Sequence, residues 1–557
     1  MKGKWSITTL LAIVASSLLA WSGDGEYPFG KMDDRVTTPH FDFAKKQAGK
    51  PLKVMVSGFG LGQREVIELK QRFAFQQVLL PVLNPENFSP WEGRKKSNAN
   101  SMSKAEYLEA RNKILAQLPS CDAIIIGKSY YDVMPADVRE KIFKRVADGA
   151  ALIWIAPFDK KMNIPGVTLK ETTVPFHTDS IPALKGTKVY LGNYGKGKVM
   201  EIVYQLPVNE LIHPYNKTIP QRTWLEPLTP FESDHPLYYD FCHAFLGKCL
   251  LMLTKPENNQ IISAANNTVE LKQPVKERKL ESTVYNTEGE ILFRKTVDAS
   301  VKNNNLIPAD LPRSAAQVLY RLLDAKGNVI DYYNAPCIVN PSNRITSLKL
   351  AKDGWKPGEA IRGELQLQNA EKSGELILSV TDEYGRMIHR SVQKSPKIMN
   401  TFKIKINHFR SRFGKLKAEL RKNGKILDQQ YAKIYFNTVD QDRQDFCFSI
   451  WSNHQVDSRV SKLALIRMRE AGVDNVMECT YGGTSYKRKH QIPRWIKEYG
   501  LNYSTYITYV RGPAGNAVNS KDCKTMSQWE EYQKTKTFPW ENKKFFSFYL
   551  LRFKKRN

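Results

Sequence analysis

The sequence predicts a multidomain chain of mixed α/β and β class: an α/β domain over 51–255, two β-sandwiches over 275–340 and 344–438, and a second parallel α/β unit over 445–542. Three observations carry this expectation. Between 51 and 255, short apolar runs alternate with segments of helical length, the pattern of strands and crossover helices in a parallel sheet. From about 275 to 440 the apolar period falls to two, and four segments repeat one shape: strand, polar turn with glycine, strand. After Asp445 the spacing returns to strand, helix, strand, helix, strand.

The chain opens with Met1-Lys-Gly-Lys4 and the apolar run Trp5–Ala20. A positive start, a short apolar core and the small residues Ala20 and Ser22 read as a signal peptide over 1–22, so an exported protein, periplasmic or extracellular, is expected. The run is short for a membrane span, and none is expected. The 84 Lys and Arg against 56 Asp and Glu give a net charge of +28, which favours anionic partners. These basic residues read as scattered, and no nucleic-acid-binding motif accompanies them, so nucleic acid is not an expected partner. Seven Cys, odd in number and dispersed, form neither a disulfide framework nor a metal-ligand cluster. His177, His213, His235 and His243 match no metal spacing and read as surface or capping residues. No metal and no cofactor are expected.

In the first domain the pattern predicts strands at Leu52–Gly58, Cys121–Gly127 and Ala150–Ala156, with a closing hairpin strand at Gly195–Tyr204. Helices are predicted at Arg64–Phe73, Lys104–Leu118 with Ser103 as N-cap, Met134–Gly149 with Pro135 at its start, and Tyr238–Leu253. Gly58-Phe-Gly60-Leu-Gly62 lacks the spacing of a dinucleotide fingerprint and reads as a tight strand-to-helix turn. The four hairpins are Val284–Leu292, Leu322–Ile330, Val380–Ile388 and Leu420–Leu427, each with a glycine where a positive φ is needed. Past Asp445, Phe446–Trp451 reads as a strand. The stripe Leu463, Leu465, Ile466, Met468, Ala471 reads as a helix face closed by Gly472, before strands at Val473–Thr480 and Leu501–Arg511.

The order of Asp122–Gly127, the Pro135-to-Gly149 helix and Leu152–Ala156 resembles the class I glutamine amidotransferase-like domain, which implies a flavodoxin-like sheet. In that family a nucleophilic Cys follows the last of these strands on a Gly-flanked turn whose amides form an oxyanion hole. Here the strand runs into Ala156-Pro-Phe-Asp159, with no Cys and with Pro157 lacking an N–H, so the domain is expected to be catalytically silent. Cys121 stands at the opening end of its strand, away from the ligand-bearing carboxyl ends. Gly354-Trp-Lys-Pro-Gly-Glu359 resembles a turn of bacterial immunoglobulin-like (Ig-like) modules; these hairpins read as structural first, with an exposed Trp355 as a sugar-stacking platform the alternative.

The unit Ala471–Tyr481 and the strand ending Tyr509-Val-Arg511 resemble the start of the (β/α)8 barrel of the large glycosidase clan, closest to the family 42 β-galactosidase-like enzymes; any parallel α/β sheet would give a similar pattern. The resemblance implies an exported polysaccharide-degrading glycoside hydrolase whose partner is a polysaccharide or oligosaccharide, anionic ones included. A substrate rim would draw on Trp451, Asn453, Glu478, Tyr481, Tyr509 and Arg511 at strand ends. The clan's two carboxylates come from strands four and seven, and neither Glu478 nor Asp522 matches them, so no catalytic residue is assigned. The 113 residues from Asp445 to Asn557 are fewer than the roughly 200 of a full barrel. The tail 543–557 has no acid, Gly or Pro, so the expectation is an incomplete barrel, a C-terminal truncation and no hydrolysis. The alternative is a secreted, non-catalytic binding or adhesion protein for anionic glycans or surfaces. Export predicts a mature chain starting near Gly23. N-terminal sequencing of the secreted protein checks it, and intact Met1 found in the cytoplasm alone would refute it.

Overall fold

A computed structural model describes Thr37, residues 40–57, 61–80, 104–127, 134–157, 166–204, Leu225, Pro227, 236–265, 267–436 with short gaps, and pieces of 449–506. The first region carries β1 (Leu52–Ser57), α1 (Leu61–Arg72), β2 (Phe75–Leu80), α2 (Lys104–Leu115), β3 (Ala123–Gly127), α3 (Ala136–Ala147), β4 (Ala151–Pro157), β5 (Lys170–Thr172), β6 (Lys188–Tyr194), β7 (Gly197–Tyr204) and α4 (Pro236–Thr254). Its sheet has seven strands in the order β2-β1-β3-β4-β7-β6-β5. β2, β1, β3, β4 and β7 are parallel, while β6 and β5 run antiparallel at one edge. β3 and the first five residues of β4 are buried throughout, which is why their sequences are continuous apolar runs. Phe75-Gln-Gln-Val-Leu-Leu80 is an edge strand that the sequence pattern does not single out, because two glutamines break its apolar face. α3 ends as its Gly149 predicts. Gly149 has φ +123°, and the amides of Gly149 and Ala150 reach the carbonyls of Val146 (2.9 Å) and Arg145 (3.2 Å).

Two antiparallel sandwiches follow. The first holds β8 (Ile261–Ala265), β9 (Thr268–Leu271), β10 (Lys279–Asn286), β11 (Ile291–Asp298), β12 (Asn303–Asn305), β13 (Ala315–Leu323) and β14 (Val329–Pro336). The second holds β15 (Ile345–Leu350), β16 (Gly354–Trp355), β17 (Ile361–Leu367), β18 (Gly374–Asp382), β19 (Met387–Lys394), β20 (Met399–Ile404), β21 (Phe413–Lys422) and β22 (Lys425–Phe436). Sheets β11-β10-β13-β14 and β12-β9-β8 of the first correspond strand for strand to β19-β18-β21-β22 and β20-β17-β15 of the second, which adds only β16. All four sequence-predicted hairpins are present. Three use one device: Asn286, Asp324 and Asp382 each accept, on one side-chain oxygen, the amides two and four residues on. Gly289, Gly327 and Gly385 then supply φ near +80° in those turns. Trp355 is buried in the second core beside Phe436, its β22 register partner, so it is not an exposed sugar platform.

The α/β domain and the first sandwich share one core. Phe41, Phe43, Phe73, Phe241 and Phe245 pack with Tyr285, Leu319, Val329 and Tyr332 in a single buried cluster. The strap 41–50 sews the joint, bridging Ala44 to Phe73 and Gln47 to Val329. At its centre α4 presents Lys248 to Asp331, both fully enclosed. Asp331 also accepts the amides of Gln260, Ile261 and Tyr332. One residue earlier, a Cβ on Gly247 would stand 2.7 Å from the Tyr332 hydroxyl, so only glycine lets α4 approach this closely. The last described strands are β23 (Ser449–Ser452), β24 (Asn475–Cys479) and β25 (Asn502–Tyr506), parallel and in chain order. A closed barrel is not found among the described residues.

Lys248→Met keeps the volume but leaves the Asp331 carboxylate uncompensated. It should cost about 3–5 kcal/mol, read as a lower urea midpoint. Lys352→Ala, which breaks the half-exposed Lys352–Glu359 pair, should cost less than about 1 kcal/mol in the same assay.

Candidate functional site

Ligands of parallel sheets sit beyond the carboxyl ends of the strands, so two edges are candidates. On the last sheet, Trp451 is in register with Met477, and Ser452, Glu478 and Thr505 form one row across β23, β24 and β25. Two of the sequence-predicted rim residues, Trp451 and Glu478, thus stand on adjacent strands one register step apart. Asn453, Tyr481, Tyr509, Arg511 and Asp522 lie outside the described residues. Glu478 is the one acid on the three described strands.

This sheet is anchored to the second sandwich through the helix that precedes β24. Gly472 ends that helix with φ +92°, and the amides of Gly472 and Val473 reach the carbonyls of Arg469 (3.1 Å) and Met468 (3.0 Å), the left-handed cap that its position predicts. Arg469, almost fully buried, donates to the Phe436 carbonyl at 3.1 Å. Glu470 takes an ion pair from Lys433 at 2.6 Å and a hydrogen bond from the Tyr435 hydroxyl at 3.3 Å. The Tyr435 ring meets Tyr499 edge-on at 5.1 Å. The amino-terminal side of this sheet, the helix and the sandwich are therefore tied by polar and aromatic contacts.

On the α/β sheet, the carboxyl ends of β1 and β3 are Ser57 and Gly127, adjacent strands on either side of the point where the winding reverses. Ser57 is buried, and its hydroxyl has no partner among the described residues. Nearby elements hold Leu225 by both its backbone groups: its amide donates to Glu65 at 2.9 Å and its carbonyl accepts from the Tyr204 hydroxyl at 3.0 Å. β4 keeps sheet register through Pro157, paired with Tyr204. Phe158 and Asp159, and Gly58 to Gly60, are outside the described residues. Cys121 lies at the opposite edge, before β3. Burial raises its thiol pKa, and Arg145 grips its carbonyl at 2.8 and 3.1 Å, so it is a structural thiol. Burial also pushes the Cys337 thiol up, to about 12. No group of residues able to hold a metal occurs among the described residues, and no described helix is long and apolar enough to cross a membrane.

The densest buried polar web joins α1, α4 and the strap. Arg72 donates to Asp240 at 2.6 and 2.8 Å and to the Glu68 carboxylate at 2.7 Å, and Asp240 accepts the Phe41 amide at 3.0 Å. His243, which sequence spacing reads as a surface or capping residue, is wholly buried here, edge-on to Tyr239 at 4.7 Å. It sits on a helix buried nearly all round, where no polar face marks an outside. Burial and then Arg72 hold its pKa down, at about 3, against the opposing pull of Asp240 and Glu68. A neutral, enclosed imidazole in a web that knits two helices is a packing group. His177 is placed by its backbone, whose amide donates to Asn334 at 2.9 Å. His213 and His235 lie outside the described residues.

Because the folded pKa of His243 lies below its ordinary value of 6.5, the unfolded chain binds more protons between those two values. Its contribution is therefore present above about pH 6.5 and lost as pH falls toward about 3. Melting temperatures of the wild type should drop more steeply between about pH 7 and pH 4 than those of His243→Leu. Equal slopes would show that His243 does not titrate on unfolding.

No protein-family model matches the chain, and no curated protein matches it. Among solved structures, the chain is similar to an FMN-binding β-glucuronidase from Facaelibacterium prausnitzii L2-6, at 12% identity over 42% of this chain and 43% of that one, TM-score 0.18. It is also similar to the β-glucuronidase of Parabacteroides merdae, at 10% identity over 46% and 39%, TM-score 0.17. A third is a tetra-tandem repeat from the extending region of a large adhesion protein, at 13% identity over 30% and 44%, TM-score 0.15. The chain spans less than half the length of each of these three.

Proposed function

We propose that this protein handles glycans outside the cytoplasm and is built like a glycoside hydrolase of the family 42 β-galactosidase-like kind. The observation that carries the reading is the parallel triplet β23-β24-β25 in chain order, with Glu478 in register between Ser452 and Thr505 and the whole anchored on a sandwich. A (β/α)8 enzyme binds its substrate over such strand ends, and a glutamate is a residue type able to accept hydrogen bonds from sugar hydroxyls. The α/β domain fits a silent amidotransferase-like module: its parallel strands follow the order 2-1-3-4, and the strand that would lead into a nucleophile turn ends in Pro157, which has no N–H to give. The two sandwiches fit Ig-like spacers.

Glycoside hydrolysis requires a pair of carboxylates about 5 to 9.5 Å apart, and the three described strands offer Glu478 alone. The 557-residue polypeptide should therefore bind oligosaccharide and not cleave it. In titrations with galactose-containing oligosaccharides, Glu478→Gln is expected to weaken binding about fivefold to tenfold, the difference between a charge-assisted hydrogen bond and a neutral one. Turnover of an aryl galactoside by the wild-type chain, abolished by Glu478→Gln, would overturn the non-hydrolytic part. Binding indifferent to Glu478 would overturn the site. A second reading, a binding protein for anionic glycans, is favoured by the distribution of charge between the two sandwiches.

A further inference from the structure

The two sandwiches share a strand order but not a charge. Residues 275–340 carry 9 Lys and Arg against 8 Asp and Glu, whereas 344–438 carry 20 against 9. Within the second, the stretch 384–418 holds ten Lys and Arg and no acid. This stretch alone carries +10 of the chain's net +28. The structure gathers much of it on one side. β19 pairs only with β18 and β20 only with β17, so these consecutive strands are the adjoining open edges of the two sheets. Arg390 and Lys394 on β19, Lys397 in the turn, Lys403 on β20 and Lys405 just beyond it are all exposed.

The turn between the strands is fixed. Asn400 accepts the Lys397 amide at 3.0 Å and the Gln393 side chain at 2.9 Å, and Pro396 is buried. Beside this edge, Arg362 on β17 is the direct cross-strand partner of Lys403, and both are exposed. Like charges directly opposite weaken a strand pair unless an anion lies between them.

We infer that the β19–β20 edge of the second sandwich binds an acidic polysaccharide, its uronate or sulfate groups lying along the cation row. Residues on one face of a strand recur every ~6.7 Å, so the row presents charges in a line, which matches an extended polyanion better than a single compact anion. Val392, Ile398 and Met399, exposed between the cations, offer apolar contact to the faces of sugar rings. Nucleic acid fits less well. No described residue of 344–436 is helical, so the recognition helix common to groove-reading proteins is not among them. The exposed Tyr384 ring, the natural platform for a base, is faced by Arg386 at 5.2 Å.

Lysines on edge strands also guard against edge-to-edge pairing. The corresponding edges of the first sandwich set the scale of that need. β11 carries two cations and one acid, and β12 carries no charge at all. β11 thus matches the two cations of β19 but adds an acid, and Lys302 in the turn that follows is paired with Glu270, so a row unpaired among the described residues and running on into the next strand belongs to the second sandwich. The choice of a glycan as the polyanion rests on the function proposed above, while the cation row stands on the charge distribution alone.

The experiment uses the full chain and measures affinity for polygalacturonate and for dextran sulfate, with single-stranded oligothymidylate and phosphatidylserine–phosphatidylcholine vesicles as competing probes. The edge variant combines Arg390→Ser, Lys394→Ser, Lys397→Ser and Lys403→Ser. The control, equal in charge lost, combines Lys276→Ser, Lys279→Ser, Lys295→Ser and Lys326→Ser in the first sandwich. All eight side chains are exposed. The wild type should bind one or both glycans in a salt-sensitive manner, the edge variant about tenfold or more weakly, and the control within about twofold of wild type. Polygalacturonate and dextran sulfate then distinguish uronate from sulfate recognition. Three results would overturn the inference: no binding of either glycan, equal losses in edge variant and control, or tighter binding of oligothymidylate or vesicles than of both glycans. Binding of neutral oligosaccharide that depends on Glu478 and is untouched by the edge variant keeps the two sites separate, so either can fail alone.

Discussion

Asp331 accepts three backbone amides and the ammonium of Lys248, with no solvent reaching either charge. Removing one partner of such a pair strands the other, and this couples everything that touches it. The three amides belong to the start of β8 and to β14, so the carboxylate fixes where the first sandwich begins. Lys248 belongs to α4, so the same carboxylate fixes where the α/β domain ends. Around it the aromatic cluster of Phe43, Phe73 and Tyr332 excludes water, with the Tyr332 hydroxyl donating to the Ala244 carbonyl at 2.6 Å. Helix, strap and sandwich consequently share one core.

The second sandwich repeats the carboxylate without the ammonium of α4. Asp428 follows Gly424 by the same four residues as Asp331 follows Gly327, and it accepts the amide of Ile345 at the start of β15 as Asp331 accepts that of Ile261. A copied sheet order, a copied hairpin and a copied start-of-strand anchor describe one architectural unit used twice. Its two surfaces have diverged: one is absorbed into the joint with the α/β domain, the other carries the excess cations. Between the units the contact is polar, with the Tyr431 hydroxyl on Glu290 at 2.5 Å and Lys415 near Glu288 and Glu290. The hairpin tip that Asn286 braces thus doubles as the bracket between the sandwiches.

Sequence alone determined the local matters. Continuous apolar runs marked β3 and β4, because a strand buried on both faces has no polar side to show. Gly149 and Gly472 marked helix ends, and the Asx-x-x-Gly turns marked hairpins, because a positive φ is close to a glycine's monopoly. The dense, acid-free stretch 384–418 was also legible, by counting acids rather than bases. The tertiary structure decided what depends on partners far along the chain. That His243 and Trp355 are inside follows from packing between elements, as do the meeting of Lys248 with Asp331, 83 residues on, and the register of Arg362 with Lys403, 41 residues on. Glu478 and Trp451 stand on adjacent strands because parallel register aligns their ends. No local propensity encodes those juxtapositions, since burial and register are properties of the assembled core and not of any one segment of it.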